Sequence, residues 1–209
     1  MTVVGIVPAG GSGERLGADR PKAFVACAGR PMVDWSLEVL AGVCDRVVLA
    51  VPPGFEQPPD RVLGGASRSA SVRNALAAAP EAGTVVVHDA ARPLVTRELV
   101  EACLGALLGV DGAVAAAPVA DTIKEAYPDG TVLRTLDRTQ LWAVQTPQVF
   151  RAEVLRRALG VDEATLASAT DDASLVEAAG GTVRVVEAPP ENLKVTSAAD
   201  LARAEAALC

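Results

Sequence analysis

The sequence predicts an α/β fold, a mostly parallel sheet covered by helices and carrying one inserted β-hairpin. Three observations lead there. Short β-branched runs alternate with longer segments of helical period, the rhythm of strand–helix–strand crossovers. Thr2 to Val7 is almost unbroken apolar sequence, as suits a strand buried on both faces. Half of the 209 residues are apolar and 22% are charged, which supports one core of ordinary domain size and lies far from a disordered composition.

The elements follow in order. After the first strand comes a glycine-rich loop, and then Val33, Leu37 and Leu40 recur at helical spacing around Trp35, giving a helix over Met32 to Ala41. Arg46 to Val51 is the second strand, closed by Pro52 and Pro53, and Arg61 to Leu63 is short enough to be only a minor third. Gly64-Gly65 opens a helix through Val72, Ala75, Leu76 and Ala79. Thr84 to Val87 is a buried strand, and Thr96 caps a helix that runs to Leu108. Ala113 to Ala117 is a further strand. From Ala120 to about Thr146 the helical period disappears. A Pro128-Asp129-Gly130 turn there joins residues 121–125 to 132–136 as a hairpin, too small for its own core and in need of a surface to pack on, for which a partner subunit is one candidate. Helices return at Ala152 to Leu159 and Asp171 to Ala179, followed by the strand Thr182 to Glu187 and a last helix from Ser197 to Leu208. The reading is a single domain over residues 1–209 with an arm at roughly 120–146.

Composition excludes several functions. A net charge of −7 argues against general affinity for nucleic acid or an anionic membrane, both of which need a basic face. Three Phe, two Trp and one Tyr leave little for stacking bases. The longest apolar stretch, between Ala102 and Ala120, is interrupted by Asp111 and falls short of a membrane span. The start of the chain reads as a strand and not as a signal peptide, and Cys27, Cys44, Cys103 and Cys209 show no CxxC spacing. Reduced thiols in a cytoplasmic protein are the expectation. The single histidine makes a histidine zinc site or a Ser-His-Asp triad hard to assemble.

Four places could carry chemistry. Residues 8–17, Pro-Ala-Gly-Gly-Ser-Gly-Glu-Arg-Leu-Gly, directly follow a buried strand, where parallel sheets bind ligands and glycines let backbone N–H groups approach phosphate oxygens. Leu16 stands where a dinucleotide fingerprint requires glycine, and no Gly-Lys-Ser/Thr follows, so both familiar phosphate loops are excluded. Arg15 and Lys22 instead place two cations on the loop, which suits a polyphosphate; a solvated turn with incidental basic residues would read the same way. His88-Asp89-Ala90-Ala91-Arg92-Pro93 ends a later strand. Asp89 can approach a metal or ribose, or simply anchor the loop, Arg92 can hold the loop or an anion, and His88 reads as a strand-end histidine bonded to backbone. The third cluster is Asp121, Thr122, Lys124, Arg134, Asp137 and Arg138 on the arm, continuing to Thr146-Pro147-Gln148, where solvation alone would explain the charges. The fourth is Glu191 to Thr196, with Lys194 in a strand-like segment. Asp171-Asp172 reads as an N-terminal cap of its helix.

Together these motifs resemble one family. Residues 9–16 with Pro21-Lys22, Val87 to Pro93, Asp121-Thr122-Ile123-Lys124, Thr146-Pro147-Gln148, Thr170-Asp171-Asp172-Ala173 and Asn192 to Thr196 stand in the order and spacing of the 2-C-methyl-D-erythritol 4-phosphate cytidylyltransferases, over essentially the whole chain. The resemblance implies a Rossmann-like nucleotidyltransferase sheet with helices on both faces. It also implies cytidylyl transfer from CTP to 2-C-methyl-D-erythritol 4-phosphate in non-mevalonate isoprenoid synthesis, with magnesium or another divalent cation. By the same resemblance Arg15 and Lys22 stabilise the transition state on the triphosphate, while Arg138 and Lys194 position the attacking phosphate. Gly10, Gly11, Gly65, Ser71 and the backbone at Ala90 belong to the CTP pocket. Asp89 lies beside the nucleotide and its metal, Arg92 joins the substrate site, and Thr122 and Thr146 are further substrate-side contacts. The arm reaches a second subunit, so the site is completed in a homodimer. Gly10, Ala23 and Ala66 depart from the common alanine, glutamine and acidic residue at their positions; none removes a catalytic cation.

The implied chemistry meets a physical need. A phosphate monoester has a second pKa of about 6, so its oxygen is already an anionic nucleophile at neutral pH and needs no general base. The obstacle is repulsion between two anions, which cations relieve. A ribitol 5-phosphate cytidylyltransferase shares the nucleotide-side motifs, and a noncatalytic nucleotide-binding module of the same fold is a further alternative. A nicotinamide-dependent dehydrogenase fails on Leu16.

Overall fold

The structure, a computed structural model, describes residues 1–11, 20–56 and 60–208. In chain order the strands are β1 (Val3–Pro8), β2 (Ala26–Cys27), β3 (Arg30–Pro31), β4 (Arg46–Val51), β5 (Arg61–Leu63), β6 (Thr84–Val87), β7 (Gly112–Pro118), β8 (Lys124–Ala126), β9 (Val132–Thr135), β10 (Trp142–Arg151) and β11 (Val183–Glu187). The helices are α1 (Met32–Ala41), α2 (Arg68–Ala77), α3 (Arg97–Ala106), α4 (Ala152–Ala158), α5 (Glu163–Ser168), α6 (Asp172–Ala178) and α7 (Ala198–Leu208).

Seven strands form one sheet in the order β11-β7-β10-β6-β1-β4-β5. β1 pairs in parallel with both β4 and β6, while β10 runs antiparallel between β6 and β7. The period of two divides the strand side chains between two cores. Val4, Ile6, Val48, Ala50, Val85 and Val87 face α2, α4 and α6 through Leu76, Leu155 and Val176. Val7, Leu49, Val51 and Val86 face α1 and α3 through Val33, Leu40, Leu99 and Val100. Helices therefore cover both faces, as expected for a mostly parallel sheet.

β10 was not anticipated. Its register with β7 shifts between Val144 and Gln148, across a cis Thr146-Pro147 bond, so the strand has neither clean alternation nor an apolar run. It draws the end of the stretch assigned to the arm into the main sheet. The hairpin itself is the short β8–β9 pair, with Lys124 opposite Thr135 and Glu125 opposite Arg134. Gly130 closes its turn at φ 86°, a conformation that favours glycine. The other expected elements fall close to their positions.

Cys27, Cys44 and Cys103 are buried and unbridged, and burial pushes the Cys44 and Cys103 thiols up to about 12, out of reach of ready thiolate chemistry. Cys209 lies outside the described residues. No helix among the described residues is long and apolar enough to cross a membrane.

Candidate active site

The neighbours of β1 set the position of the site. The chain leaves β1 for β4 and β5 on one side and returns to β6 on the other, so the loops after β1 and β6 diverge and open a crevice beyond the strand ends. A cavity of about 430 Å³ lies there. Eight of the predicted site residues line it: Gly10, Gly11, Lys22, Gly65, Ser71, Asp89, Ala90 and Lys194. Arg15 lies outside the described residues. A second cavity, of about 460 Å³, is lined by Arg92 and Thr146. The two cavities share Arg68, Asp89 and Lys194 as a common wall.

The wall formed by α2 is built closely. A Cβ added at Gly65 would lie 2.5 Å from that of Ala70, so only glycine lets the loop fold against the helix start. Ser67 caps α2 by accepting from the Ala70 amide at 3.1 Å, and the Gly65 amide donates to Ser71 Oγ at 3.0 Å. Ser67, Arg68 and Ser71 thus bring the positive end of α2 to the cavity. Gly10 and Gly11 differ: a Cβ at either would meet nothing within 4 Å. Packing does not demand them, but their absent side chains leave bare backbone toward the cavity. The Gly11 carbonyl accepts from the Lys22 amide at 2.9 Å, which brings the lysine back to the loop.

Charge is concentrated in the shared wall. Asp89 accepts from Arg68 Nε at 2.8 Å on Oδ1 and from Lys194 Nζ at 2.7 Å on Oδ2. Burial alone would raise the Asp89 pKa, but Arg68 and then Lys194 outweigh it and hold the carboxyl well below the usual range. Arg68 also donates to Asp172 Oδ2 at 2.5 Å. Burial would weaken the Arg68 charge; Asp172 and Asp89 reverse that and raise its pKa further. Asp89 is the one acidic residue lining the first cavity among the described residues.

His88 supports this wall from behind. It is fully buried, with Nε2 3.2 Å from the Arg92 carbonyl and Nδ1 3.1 Å from Thr146 Oγ1. A carbonyl can only accept, so Nε2 carries the proton and Nδ1 accepts from the threonine hydroxyl. That hydroxyl in turn accepts from the Asp89 amide at 3.0 Å. Burial, only partly opposed by the bond to Arg92 and the charge of Asp89, pushes His88 down to about 4. The histidine is therefore neutral and acts as the backbone anchor the sequence suggested. Thr146 is buried with its hydroxyl in this chain of bonds. Arg92 Nη1 donates to the Asn192 carbonyl at 2.6 Å, and Asn192 Nδ2 donates to Gln145 Oε1 at 2.8 Å and the Thr146 carbonyl at 3.0 Å. These bonds fasten the Lys194 segment to the loop bearing Asp89.

Thr122 and Arg138 line neither cavity. Both lie exposed on the arm, where Arg138 donates to the Ala120 carbonyl. Around them Tyr127, Val132, Leu133, Trp142 and Val144 are exposed, an apolar set that a single chain leaves uncovered.

No cluster of three or more His, Cys, Asp or Glu able to hold a metal occurs among the described residues. Asp89 offers a single carboxylate whose oxygens each accept one cationic donor and retain further lone pairs. That donor set fits a divalent cation brought mainly by phosphate oxygens and not one caged by the protein. The sequence reading missed Arg68 and the inward role of Asp172. The signal for Asp172 was there: a helix needs one cap, and two consecutive aspartates supply one more. Asp171 is that cap, accepting from the Ser174 amide at 2.9 Å.

Comparison with known proteins agrees with this geometry. The family model described as IspD, 2-C-methyl-D-erythritol 4-phosphate cytidylyltransferase, matches residues 3–209. The chain is 45% identical to the Nocardia farcinica protein of that name, covering 99% of this chain and 94% of the other. It is 46% identical to that of Deinococcus radiodurans, covering 96% and 87%. Among solved structures it is similar to the Thermus thermophilus enzyme of the same name, with a TM-score of 0.84, 37% identity and coverage of 99% and 98%.

Proposed function

The chain belongs to the 2-C-methyl-D-erythritol 4-phosphate cytidylyltransferase family, and on that premise we propose that it transfers the cytidylyl group of CTP to 2-C-methyl-D-erythritol 4-phosphate. One observation carries the assignment within the fold. Two cavities at the strand ends share a wall that bears Arg68, Asp89 and Lys194, so two cationic side chains stand where two anionic substrates can meet. The nucleotide occupies the first cavity, over Gly10, Gly11, Gly65, Ser71 and Ala90; the acceptor occupies the second, over Arg92 and Thr146.

In the reaction an oxygen of the acceptor phosphate attacks the α-phosphorus of CTP. The bond from that phosphorus to the bridging oxygen of the β-phosphate breaks, pyrophosphate leaves, and 4-diphosphocytidyl-2-C-methyl-D-erythritol forms. Lys22 and Arg15 neutralise the triphosphate as charge moves toward the leaving group, and Lys194 holds the attacking phosphate in line. No proton has to be removed, which agrees with a neutral His88 sealed behind the wall. Asp89 would hold a divalent cation arriving with the triphosphate, which would supply further charge neutralisation.

The arm accounts for Arg138 and Thr122. We assign the exposed apolar set on the hairpin and the start of β10 to a homodimer in which each arm covers the neighbouring subunit and brings Arg138 and Thr122 to its acceptor cavity. The chain acts as one domain with this arm as its dimerisation element, in the cytoplasm. The test is pyrophosphate release from CTP and magnesium with either 2-C-methyl-D-erythritol 4-phosphate or ribitol 5-phosphate. Turnover with the former is expected; preference for the latter would move the assignment to a ribitol 5-phosphate cytidylyltransferase, and inactivity of folded protein with both would overturn it.

A further inference from the structure

Asp172 is a costly residue to bury. Its side chain is 0% exposed, and burial raises its pKa against the opposing charge of Arg68 and the hydrogen bonds of Arg68 and Ser69. Buried ion pairs are poor stabilisers compared with apolar residues of similar volume, and the neighbouring Asp171 already caps α6. Capping therefore does not require this carboxylate, and a first-turn charge need not be buried to meet the helix dipole.

Its partner suggests what it does. Arg68 is the first residue of α2, and its guanidinium is divided between two carboxylates from different elements: Nη1 to Asp172 on α6 and Nε to Asp89 after β6. A guanidinium held at two of its nitrogens by carboxylates from two elements has its plane fixed between them. Here Asp172 occupies Nη1, Arg68 is shown with a single bond to Asp89, and Oδ2 of Asp89 accepts from Lys194 at 2.7 Å. We propose that Asp172 is a positioning residue for Lys194: by holding Nη1 it fixes the Arg68 guanidinium, whose Nε fixes Asp89, whose second oxygen in turn holds the lysine between the two cavities. The chain of contacts joins α6, α2, the loop after β6 and the segment before α7, so the helix packing of the outer layer sets the position of a cation at the reacting centre.

The inference rests on the acceptor-side role of Lys194 given above, and wild-type turnover with CTP and 2-C-methyl-D-erythritol 4-phosphate is the control that separates the two. In Asp172→Asn, Arg68 loses the charged partner that fixes its guanidinium, so Asp89 and the lysine it holds lose their set position. The kcat/KM for the acceptor should fall about 10- to 100-fold, the range of one misplaced charge-assisted hydrogen bond. The KM for CTP should stay within about threefold, because removal of an anion leaves the cationic wall no weaker toward a triphosphate. Arg68→Lys provides a second route, since a point charge cannot hold two carboxylates apart as a guanidinium does, and it should show the same acceptor-selective loss. The pair Arg68→Gln with Asp172→Asn removes both buried charges and should recover the melting temperature lost by Asp172→Asn without recovering acceptor kcat/KM. The proposal is overturned if Asp172→Asn and Arg68→Lys keep normal acceptor kcat/KM, if both substrates lose equally, or if the neutral pair restores activity along with stability.

Discussion

Lys194→Met separates the catalytic reading of this lysine from a structural one. Lys194 Nζ lies 2.7 Å from Asp89 Oδ2, and its side chain is 43% exposed. A pair so open to solvent adds little to folding, about 0–1 kcal/mol, and Asp89 keeps Arg68 as a partner in the variant. For a chain of this size 1 kcal/mol moves the melting temperature by about 2–4 °C, so the fold should survive nearly unchanged. The rate should not. A preorganised cation aimed at a reacting phosphate is worth about 10²–10³ in turnover, or ~3–4 kcal/mol. The assay is pyrophosphate release at saturating CTP with varied 2-C-methyl-D-erythritol 4-phosphate, alongside thermal unfolding of the same preparation. Acceptor kcat/KM within about threefold of wild type would refute the reasoning. So would a loss of activity accompanied by a fall of more than about 10 °C, which would show the lysine to be structural.

Other outcomes follow from the same geometry. Lys22→Ala should lose about 10²-fold or more in kcat at saturating substrates while circular dichroism and native mass stay unchanged, and a near-normal rate would remove its assigned role. Mixing Arg138→Ala with Lys194→Met, each inactive alone, should restore about a quarter of wild-type activity after subunit exchange, because half the dimers are mixed and each has one intact site; no recovery would place Arg138 outside the partner's site. Stability should fall on acidification between pH 6.5 and about 4, the ordinary and folded values of His88, because the unfolded chain binds the proton that the buried ring resists. The full window is worth about 3 kcal/mol. With one histidine in the sequence, urea midpoints of His88→Gln should show little of this slope, and an unchanged slope would assign it elsewhere. Asp172, whose pKa is raised, contributes with the opposite sign and cannot mimic the effect.

The parallel strands were legible because burial on both faces writes itself as short β-branched runs, as in Thr84 to Val87. β10 was hidden because its register break at residues 144–148 places Gln145, Thr146 and Gln148 in the strand. The lining of the first cavity was readable from its motifs, since the glycine run after β1 and Lys22 both come to it. Arg68 was not, because a single arginine at a helix start looks like any other until Asp89 and Asp172 are seen to converge on it from 21 and 104 residues away. The arm was visible as a hairpin with no core of its own. Its Arg138 lies apart from Lys194 in the single chain, and the proposed second subunit that would join them is something no local pattern in one chain encodes.

The central claim is that one chain's Lys22 and Lys194, with the neighbour's Arg138, join the α-phosphorus of CTP to the phosphate of 2-C-methyl-D-erythritol 4-phosphate. Phosphorus NMR of a reaction containing the purified protein, CTP, magnesium and the acceptor follows every phosphorus involved. The account predicts that the acceptor monoester signal is replaced by two coupled diphosphate resonances, in equal amount with free pyrophosphate, and only when both substrates are present. Unchanged CTP and acceptor, or CMP and pyrophosphate with the acceptor untouched, would contradict it.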